Sequence, residues 1–196
     1  MNWAANQGKT LPTVLAEVEI SPDYFTVNFT VEEPSDCFRA EVKEDNGSSW
    51  EDSCVEVFLQ NPANPAEYFN FETTCRGYLL AAHGPDRNSR VKLSQEQINS
   101  VVRTKQLASV AGNLVCWGMT VQIPPSLFGL RTFEGVTLRG NLYKCADKSK
   151  RDFSMVSTDF LFAVRRFSVR GGNTFCSRSE TFLFASRNIF LFAQQR

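Results

Sequence analysis

Residues 50–58 read W-E-D-S-C-V-E-V-F and alternate between two kinds of side chain. Successive side chains of a β-strand point to opposite faces, so the stretch predicts one extended segment with two different faces. The residues predicted to face the core are Val55, Val57 and Leu59, and those that share the other face are Trp50, Asp52 and Glu56. A flat ring beside carboxylates suits a sugar, whose C–H face packs on the ring while polar groups bind its hydroxyls. The pattern therefore indicates binding before catalysis.

Composition limits the class of protein. The chain has 196 residues and is 42% hydrophobic, which fits one globular domain with a sizeable core. Basic and acidic residues number 21 each, so no net charge attracts nucleic acid or an anionic membrane, and we predict neither partner. No stretch has the length of a membrane span. The six cysteines lack C-x-x-C spacing and the density of a disulfide scaffold, which favours reduced thiols.

The N-terminus and the few metal-ligating residues exclude further classes. Residues 1–8 lack a basic start and an apolar core, which predicts a cytoplasmic protein, or an extracytoplasmic one if a leader is missing from this sequence. The single histidine, His83, precedes a Gly-Pro pair and is predicted in an exposed loop; one histidine makes neither a His-rich metal site nor a convincing nucleophile triad. Asp45-Asn46-Gly47 has oxygens that suit calcium but is predicted to form a turn. We predict no metal and no cofactor.

Further alternating windows, each bounded by turn residues, predict an all-β antiparallel sandwich. Ser21-Pro22-Asp23 is predicted to join the first two strands as a hairpin. Residues 78–112 are less regular and are predicted to be an insertion between strands, with a short helix at 94–102. The predicted strands are 16–20, 24–31, 54–59, 67–74, 115–123 and 136–145, with Trp117 on the apolar side of the fifth.

The last 46 residues change in composition. From Arg151 onward there are 7 Arg, no Lys, 3 acidic residues and 9 of the 17 Phe, so a net charge of −4 in residues 1–150 is followed by +4. We therefore divide the chain into a β-sandwich domain at 1–150 and an atypical segment at 151–196. The alternatives for that segment are an ordered tail, with a hairpin around 167–175 and a closing strand at 190–192, a disordered tail, or a frame-shifted ending.

Three motifs read W-E-D-S-C-V-E-V-F-L at 50–59, Y-F-N-F-E-T-T-C-R-G at 68–77 and L-R-G-N-L-Y-K-C-A-D-K at 138–148. Together they resemble the family 9 carbohydrate-binding modules of the DOMON-like β-sandwich group. The resemblance covers about residues 2–150 and is carried by the order and spacing of the motifs. It implies a jelly-roll or DOMON-like sandwich of two antiparallel sheets that holds a sugar between two tryptophans.

The resemblance also implies roles for single residues. It places the first stacking ring on Trp50 and a sugar-binding carboxylate on Glu56. Asn70 and Glu72 stand where well-studied members carry an Arg and an Asn, and Tyr143 stands where they carry an amide, so the ligand or its orientation is expected to differ. No tryptophan follows Trp117, so the second stacking ring is missing. If a frame shift caused this, the alternative frames of the gene after the Lys150 codon should encode a tryptophan-containing segment.

We predict non-catalytic binding of a mono- or oligosaccharide by aromatic stacking and hydrogen bonds, associated with polysaccharide or glycan catabolism. One alternative is a hydrolase of O-glycosyl bonds, since paired carboxylates such as Asp52 and Glu56 can flank a glycosidic bond. Another is an interaction domain without a sugar ligand, in which Trp50 only packs and the charges are solvated or paired. The candidate carbohydrate-binding residues are Trp50, Asp52, Glu56, Asn70, Glu72, Arg139, Asn141 and Tyr143.

Overall fold

The computed structural model describes residues 12–146, 148, 153–163, 180–182, 185–186 and 189–192. These residues form two stacked β-sheets with one short helix, α1 (Gln95–Ser100). The strands are β1 (Thr13–Ile20), β2 (Phe25–Pro34), β3 (Cys54–Gln60), β4 (Tyr68–Thr74), β5 (Leu79–Gly84), β6 (Val91–Lys92), β7 (Val102–Ala111), β8 (Leu114–Ile123), β9 (Thr137–Ala146), β10 (Phe153–Ala163), β11 (Glu180–Phe182), β12 (Ala185–Ser186) and β13 (Ile189–Phe192). The predicted all-β sandwich is confirmed, and it contains the short helix.

The described strands are divided between two sheets. Sheet A has the order β12-β13-β1-β2-β8-β7, with β11 also paired to β1, and sheet B has the order β10-β9-β3-β4-β5-β6. Neighbouring strands are antiparallel except β1 and β13, which are parallel. The β1–β2 hairpin pairs Ile20 with Phe25 around the predicted turn. Among the described residues, no helix has the length and apolar character needed to cross a membrane.

The core lies between the sheets and is built by the alternation seen in the sequence. Sheet B contributes the inward residues of β3, β4 and β9, and sheet A contributes those of β2 and β8. Each fully buried aliphatic or aromatic side chain stabilises the fold by about 1.5–3 kcal/mol. The largest contributors include Phe25, Phe29, Met119 and Ile123 from sheet A, and Leu59, Phe71, Leu138 and Leu142 from sheet B. Trp117 is buried in the core, as predicted.

A buried ion pair lies between the sheets in this core. The Nζ atom of Lys144, on β9, lies 3.1 Å from Oε2 of Glu33, on β2. The indole Nε1 of Trp117 donates to Glu33 Oε1 at 2.6 Å, and Lys144 Nζ donates to the carbonyl of Cys145 at 2.8 Å. The pairing accounts for a lysine at an inward position, because a buried charge is tolerated only with a partner.

Three sequence-based predictions of local structure are wrong. His83 is not in an exposed loop, since it lies on β5 opposite Phe69 of β4 and is half-buried. The single strand predicted from Trp50 begins only at Cys54, because residues 49–51 form a 3-10 turn. Residues 78–112 are not an insertion, since β5 pairs with β4 in sheet B and β7 pairs with β8 in sheet A. Alternation failed there for two reasons: β5 is buried along most of its length, and β7 is a largely exposed edge strand. The predicted helix is present as α1, with a Ser94–Gln97 capping box.

The chain after residue 150 continues the sandwich where it is described. Strand β10 pairs with β9 in antiparallel register from Phe153 to Ala163, and β13 contains the strand predicted at 190–192. The hairpin predicted around residues 167–175 lies outside the described residues.

Candidate functional site

The outer face of sheet B collects six of the eight predicted residues. Register places Glu56 directly opposite Glu72 on β4 and Tyr143 on β9, in one row across three strands. Two residues further along β3, Phe58 lies between Asn70 on β4 and Asn141 on β9, and these three residues form a second row. Arg139 continues the same face of β9, two residues beyond Asn141. These residue pairs are distant in sequence, and strand pairing alone brings them together.

The polar side chains at the centre of this face are hidden from solvent. Glu56, Asn70 and Glu72 are at most 5% exposed, although they point away from the core between the sheets. Asn141 and Tyr143 are half-buried, and Arg139 is exposed. Carboxylates and amides are seldom buried without a function or a compensating partner. The face therefore has a buried polar centre with an accessible rim.

Asn70 is the best-defined polar group of the centre. Its side-chain oxygen accepts a hydrogen bond from Nη1 of Arg90 at 2.7 Å. Its amide nitrogen, Nδ2, is buried and has no hydrogen-bond partner among the described residues. A buried donor without a partner costs about 1–3 kcal/mol. An acceptor oxygen on a bound ligand would remove that cost.

Aromatic rings lie beside the polar centre at the Gln60 end of β3. The ring of Phe58 packs edge-on against the ring of Tyr143, with 5.0 Å between the ring centres, and its centre lies 5.8 Å from that of Tyr68. Asn141 Nδ2 donates to the Tyr143 hydroxyl at 3.0 Å, and the Arg90 guanidinium lies 5.9 Å from the Tyr68 ring centre. A surface depression of about 500 Å³ opens here, lined by Phe58, Gln60, Pro65, Ala66, Glu67, Tyr68, Pro85, Arg139, Gly140 and Asn141.

Sequence reasoning did not select Phe58, Tyr68 or Arg90 as site residues. The signal for Phe58 and Tyr68 was present, because Phe58 shares the parity of Glu56 and Tyr68 that of Asn70. Arg90 had no such signal, since it lies at the end of an irregular loop and reaches Asn70 only through the fold.

The predicted placement of Trp50 and Asp52 is wrong, because neither residue lies on a strand beside Glu56. Trp50 is half-buried in the 3-10 turn at 49–51, near the Cys54 end of β3. Lys148 holds this turn to the end of β9: its Nζ lies 2.8 Å from Glu51 Oε1. The turn forms because residues 48–52 make short-range backbone hydrogen bonds, which end the alternation.

Asp52 is fully buried and organises the loop before β3. Its carboxylate accepts from the backbone N–H groups of Glu41 and Val42 at 2.7 Å each. Its other oxygen lies 3.2 Å from Nε of Arg39. With both oxygens engaged by the protein, this carboxylate has the geometry of a loop anchor.

The predicted turn at Asp45-Asn46-Gly47 is confirmed, with Asn46 at a φ of 58°. Asp45 Oδ1 accepts from Nη1 of Arg103 at 2.7 Å and from the Leu79 N–H at 2.8 Å. Burial acts to raise the pKa of Asp45, but these two donors outweigh it and lower the pKa below its usual 3.8. A cationic partner already occupies the oxygen that calcium would need.

The fold and this outer face define a β-sandwich binding module. The model of carbohydrate-binding family 9 matches residues 1–163, and the chain belongs to this family. The match continues past Lys150 into β10. A crystal structure of a Bacteroides uniformis protein, provisionally described as carbohydrate-binding, is similar at 26% identity and a TM-score of 0.66 over 98% of this chain and 83% of that one. Comparison with curated proteins gives no match.

Proposed function

We propose that this protein binds carbohydrate non-covalently on the outer face of sheet B. The observation that carries the proposal is the buried amide nitrogen of Asn70, which has no hydrogen-bond partner among the described residues and lies on a polar face between two carboxyl groups and several aromatic rings. A sugar hydroxyl both accepts and donates hydrogen bonds, so it fits a face that offers donors and acceptors together. Family membership and the Bacteroides uniformis structure support the same class of ligand.

Each side chain of the face has a role that its chemistry allows. Glu56 and Glu72 accept hydrogen bonds from sugar hydroxyls, Asn70 donates through Nδ2, and Arg139 and Asn141 bind at the rim. Such hydrogen bonds contribute about 0.5–1.5 kcal/mol each, or somewhat more when a charged group takes part, because they replace bonds to water.

Phe58 and Tyr68 supply aromatic rings at the Gln60 end of the face, and Trp50 lies in the turn that precedes the Cys54 end of β3. Cys54 to Gln60 spans about 20 Å of extended chain, so the face is long enough for an oligosaccharide. A stacked ring contributes about 1 kcal/mol beyond the area that it buries, and we expect modest affinity. Such a module would serve glycan catabolism by holding its substrate near a hydrolytic enzyme.

The test is calorimetric titration of the full chain with a panel of mono- and oligosaccharides, and of Asn70→Ala beside it. We expect heat from the wild type and a loss of affinity of about 5-fold or more in the variant, since a lost hydrogen bond in a buried site costs about 1–3 kcal/mol. Asn113→Ala, an exposed amide in the β7–β8 turn, is the matched control and should bind as wild type.

Two outcomes would overturn the proposal. Turnover of chromogenic glycosides that is lost in Glu56→Gln or Glu72→Gln would favour the hydrolase. No heat with any saccharide from a folded wild type would favour an interaction domain without a sugar ligand.

A further inference from the structure

A cluster of side chains that can ligate a metal ion lies on the same face, at the Cys54 end of β3. Cys54 on β3 is directly opposite Cys145 on β9, and Glu56 follows two residues along β3 on the same side. The two sulfur atoms and a carboxylate oxygen of Glu56 all lie within 4.8 Å of one another, and the three residues are buried. Neither the hydrophobic core nor the proposed sugar contacts explain this pair of thiols.

We infer that Cys54, Cys145 and Glu56 bind a zinc ion. In a tetrahedral zinc site with Zn–S bonds of about 2.3 Å and Zn–O bonds of about 2.0–2.2 Å, ligand atoms lie about 3.5–3.8 Å apart. The observed cluster is within about 1 Å of that spacing, a difference that small rotations about χ1 of each side chain can remove. Rigid antiparallel strands hold the three Cβ atoms in place, so the site is largely preformed.

The donor set selects the kind of metal. Thiolate ligands favour zinc and other soft cations, whereas calcium and magnesium require sites built of oxygen atoms. Two sulfurs with one carboxylate leave a fourth position. Glu72 lies directly across from Glu56 on β4, but its carboxylate is not part of the cluster, so a water molecule would take the fourth position.

Electrostatics on this face favour a cation. Carboxyl groups directly opposite each other on paired strands repel when both are charged, and a dication between them would remove that repulsion. Zinc binds the thiolate form of cysteine, so its binding would release two thiol protons to solvent, which a coordinated dication makes favourable.

The prediction of no metal rested on the single histidine and on the turn at Asp45-Asn46-Gly47, and the cysteine spacing gave no indication of this site. Cys54 and Cys145 lie on different motifs far apart in the chain, and only the pairing of β3 with β9 makes them neighbours. The site includes Glu56, which the proposed function assigns to sugar. Zinc binding is nevertheless measured without sugar, so either proposal can fail alone.

The test is a zinc titration of the full chain, reduced with a phosphine and freed of metal, in competition with a chromophoric chelator. We expect one zinc per chain and a raised Tm. In Cys54→Ser/Cys145→Ser, zinc affinity should fall more than about 100-fold, because even changes to groups behind the ligands cost about 10–100-fold. Cobalt should give a thiolate charge-transfer band in the wild type that this variant lacks.

Matched variants separate ligation from folding. Cys116→Ser, a half-buried thiol on β8 of sheet A, should bind zinc and cobalt as wild type. Glu56→Gln keeps both thiols and the side-chain shape, so it should keep a weakened cobalt band. Circular dichroism checks that each variant is folded.

Three results would overturn the inference. They are no zinc bound by the reduced wild type, unchanged affinity in the folded double variant, and a wild type whose two thiols form a disulfide under mild oxidation while the reduced form binds no zinc.

Discussion

The inner and outer faces of sheet B are hidden from solvent to a similar extent but consist of different side chains. On β3, the inward Val57 is 1% exposed and the outward Glu56 is 4% exposed. On β4, Phe71 and Asn70 are both fully buried on opposite faces. Burial stabilises an apolar side chain, whereas it costs a carboxylate or an amide free energy unless a partner compensates. The buried polar groups of the outer face therefore need partners, and the amide nitrogen of Asn70 lacks one among the described residues.

The inner face of sheet B carries one end of the Lys144–Glu33 ion pair, and breaking that pair should have the largest effect on stability. In Lys144→Met, Glu33 remains buried with only the Trp117 indole as a described partner, and we expect about 3–5 kcal/mol less free energy of unfolding in urea. Glu33→Gln/Lys144→Met removes both charges and should recover most of that loss. If the single and double variants lose equal free energy of unfolding, the loss does not come from leaving Glu33 charged without Lys144.

Truncating an apolar side chain of the inner face tests how much the burial of that face stabilises the fold. Leu142→Ala leaves a cavity between the sheets and should lower the free energy of unfolding by about 2–5 kcal/mol. Val91→Ala, an exposed apolar residue on β6, should change it by less than about 0.5 kcal/mol. Binding of sugar or zinc should be unchanged in folded Leu142→Ala, since the outer face is untouched.

Asp45 shows how a partly buried charge is stabilised when the protein supplies its partners. Its folded-state pKa is lowered, so its contribution to stability is fully present above the unfolded pKa, about 3.8, and is lost as the pH falls through the folded value. Asp45→Asn should lower the free energy of unfolding by about 1–2 kcal/mol at pH 7. The variant should also lose less stability than wild type between pH 4 and pH 2.

The control for Asp45→Asn is Asp23→Asn, at an exposed side chain, which should change the free energy of unfolding at pH 7 by less than about 0.5 kcal/mol. A wild-type curve that is flat below pH 4 would contradict the assigned role of Asp45.

The smallest expected effect on stability belongs to the outer face itself. Glu72→Gln removes one of two facing carboxyl groups and should raise the free energy of unfolding by about 0.2–1 kcal/mol without ligand. The same variant should bind sugar more weakly, because the side chain then accepts through one neutral oxygen. A loss of stability above 2 kcal/mol would instead mark Glu72 as a structural residue.

The strand pattern was predictable wherever one face of a strand is apolar. Val55, Val57 and Leu59 were placed correctly because a period of two is a local property that needs only the order of residues. Strand β5 was missed because L-L-A-A at its start is buried on both faces and does not alternate. Trp50 was misplaced because a 3-10 turn, held by backbone hydrogen bonds, interrupts a pattern that looks continuous in the sequence.

The sequence predicted most residues of the candidate site, but it did not predict which groups each of them contacts. Alternation and family resemblance selected Glu56, Asn70 and Tyr143, and strand register placed them on one face. Asp52 looked equivalent to Glu56 in the sequence, and only the backbone of residues 41 and 42 shows that its carboxylate anchors a loop. No local pattern encodes that contact.

The sequence by itself determined the β-sandwich class, the inward and outward sides of most strands, and the family. Those properties depend on short-range periodicity and on motifs, which are readable along one chain. The tertiary structure alone decided which strands are neighbours, and so paired Cys54 with Cys145, Glu56 with Glu72 and Lys144 with Glu33. The physical reason is that pairing and sheet stacking minimise exposed apolar area over the whole chain, so contacts between distant residues depend on the complete fold.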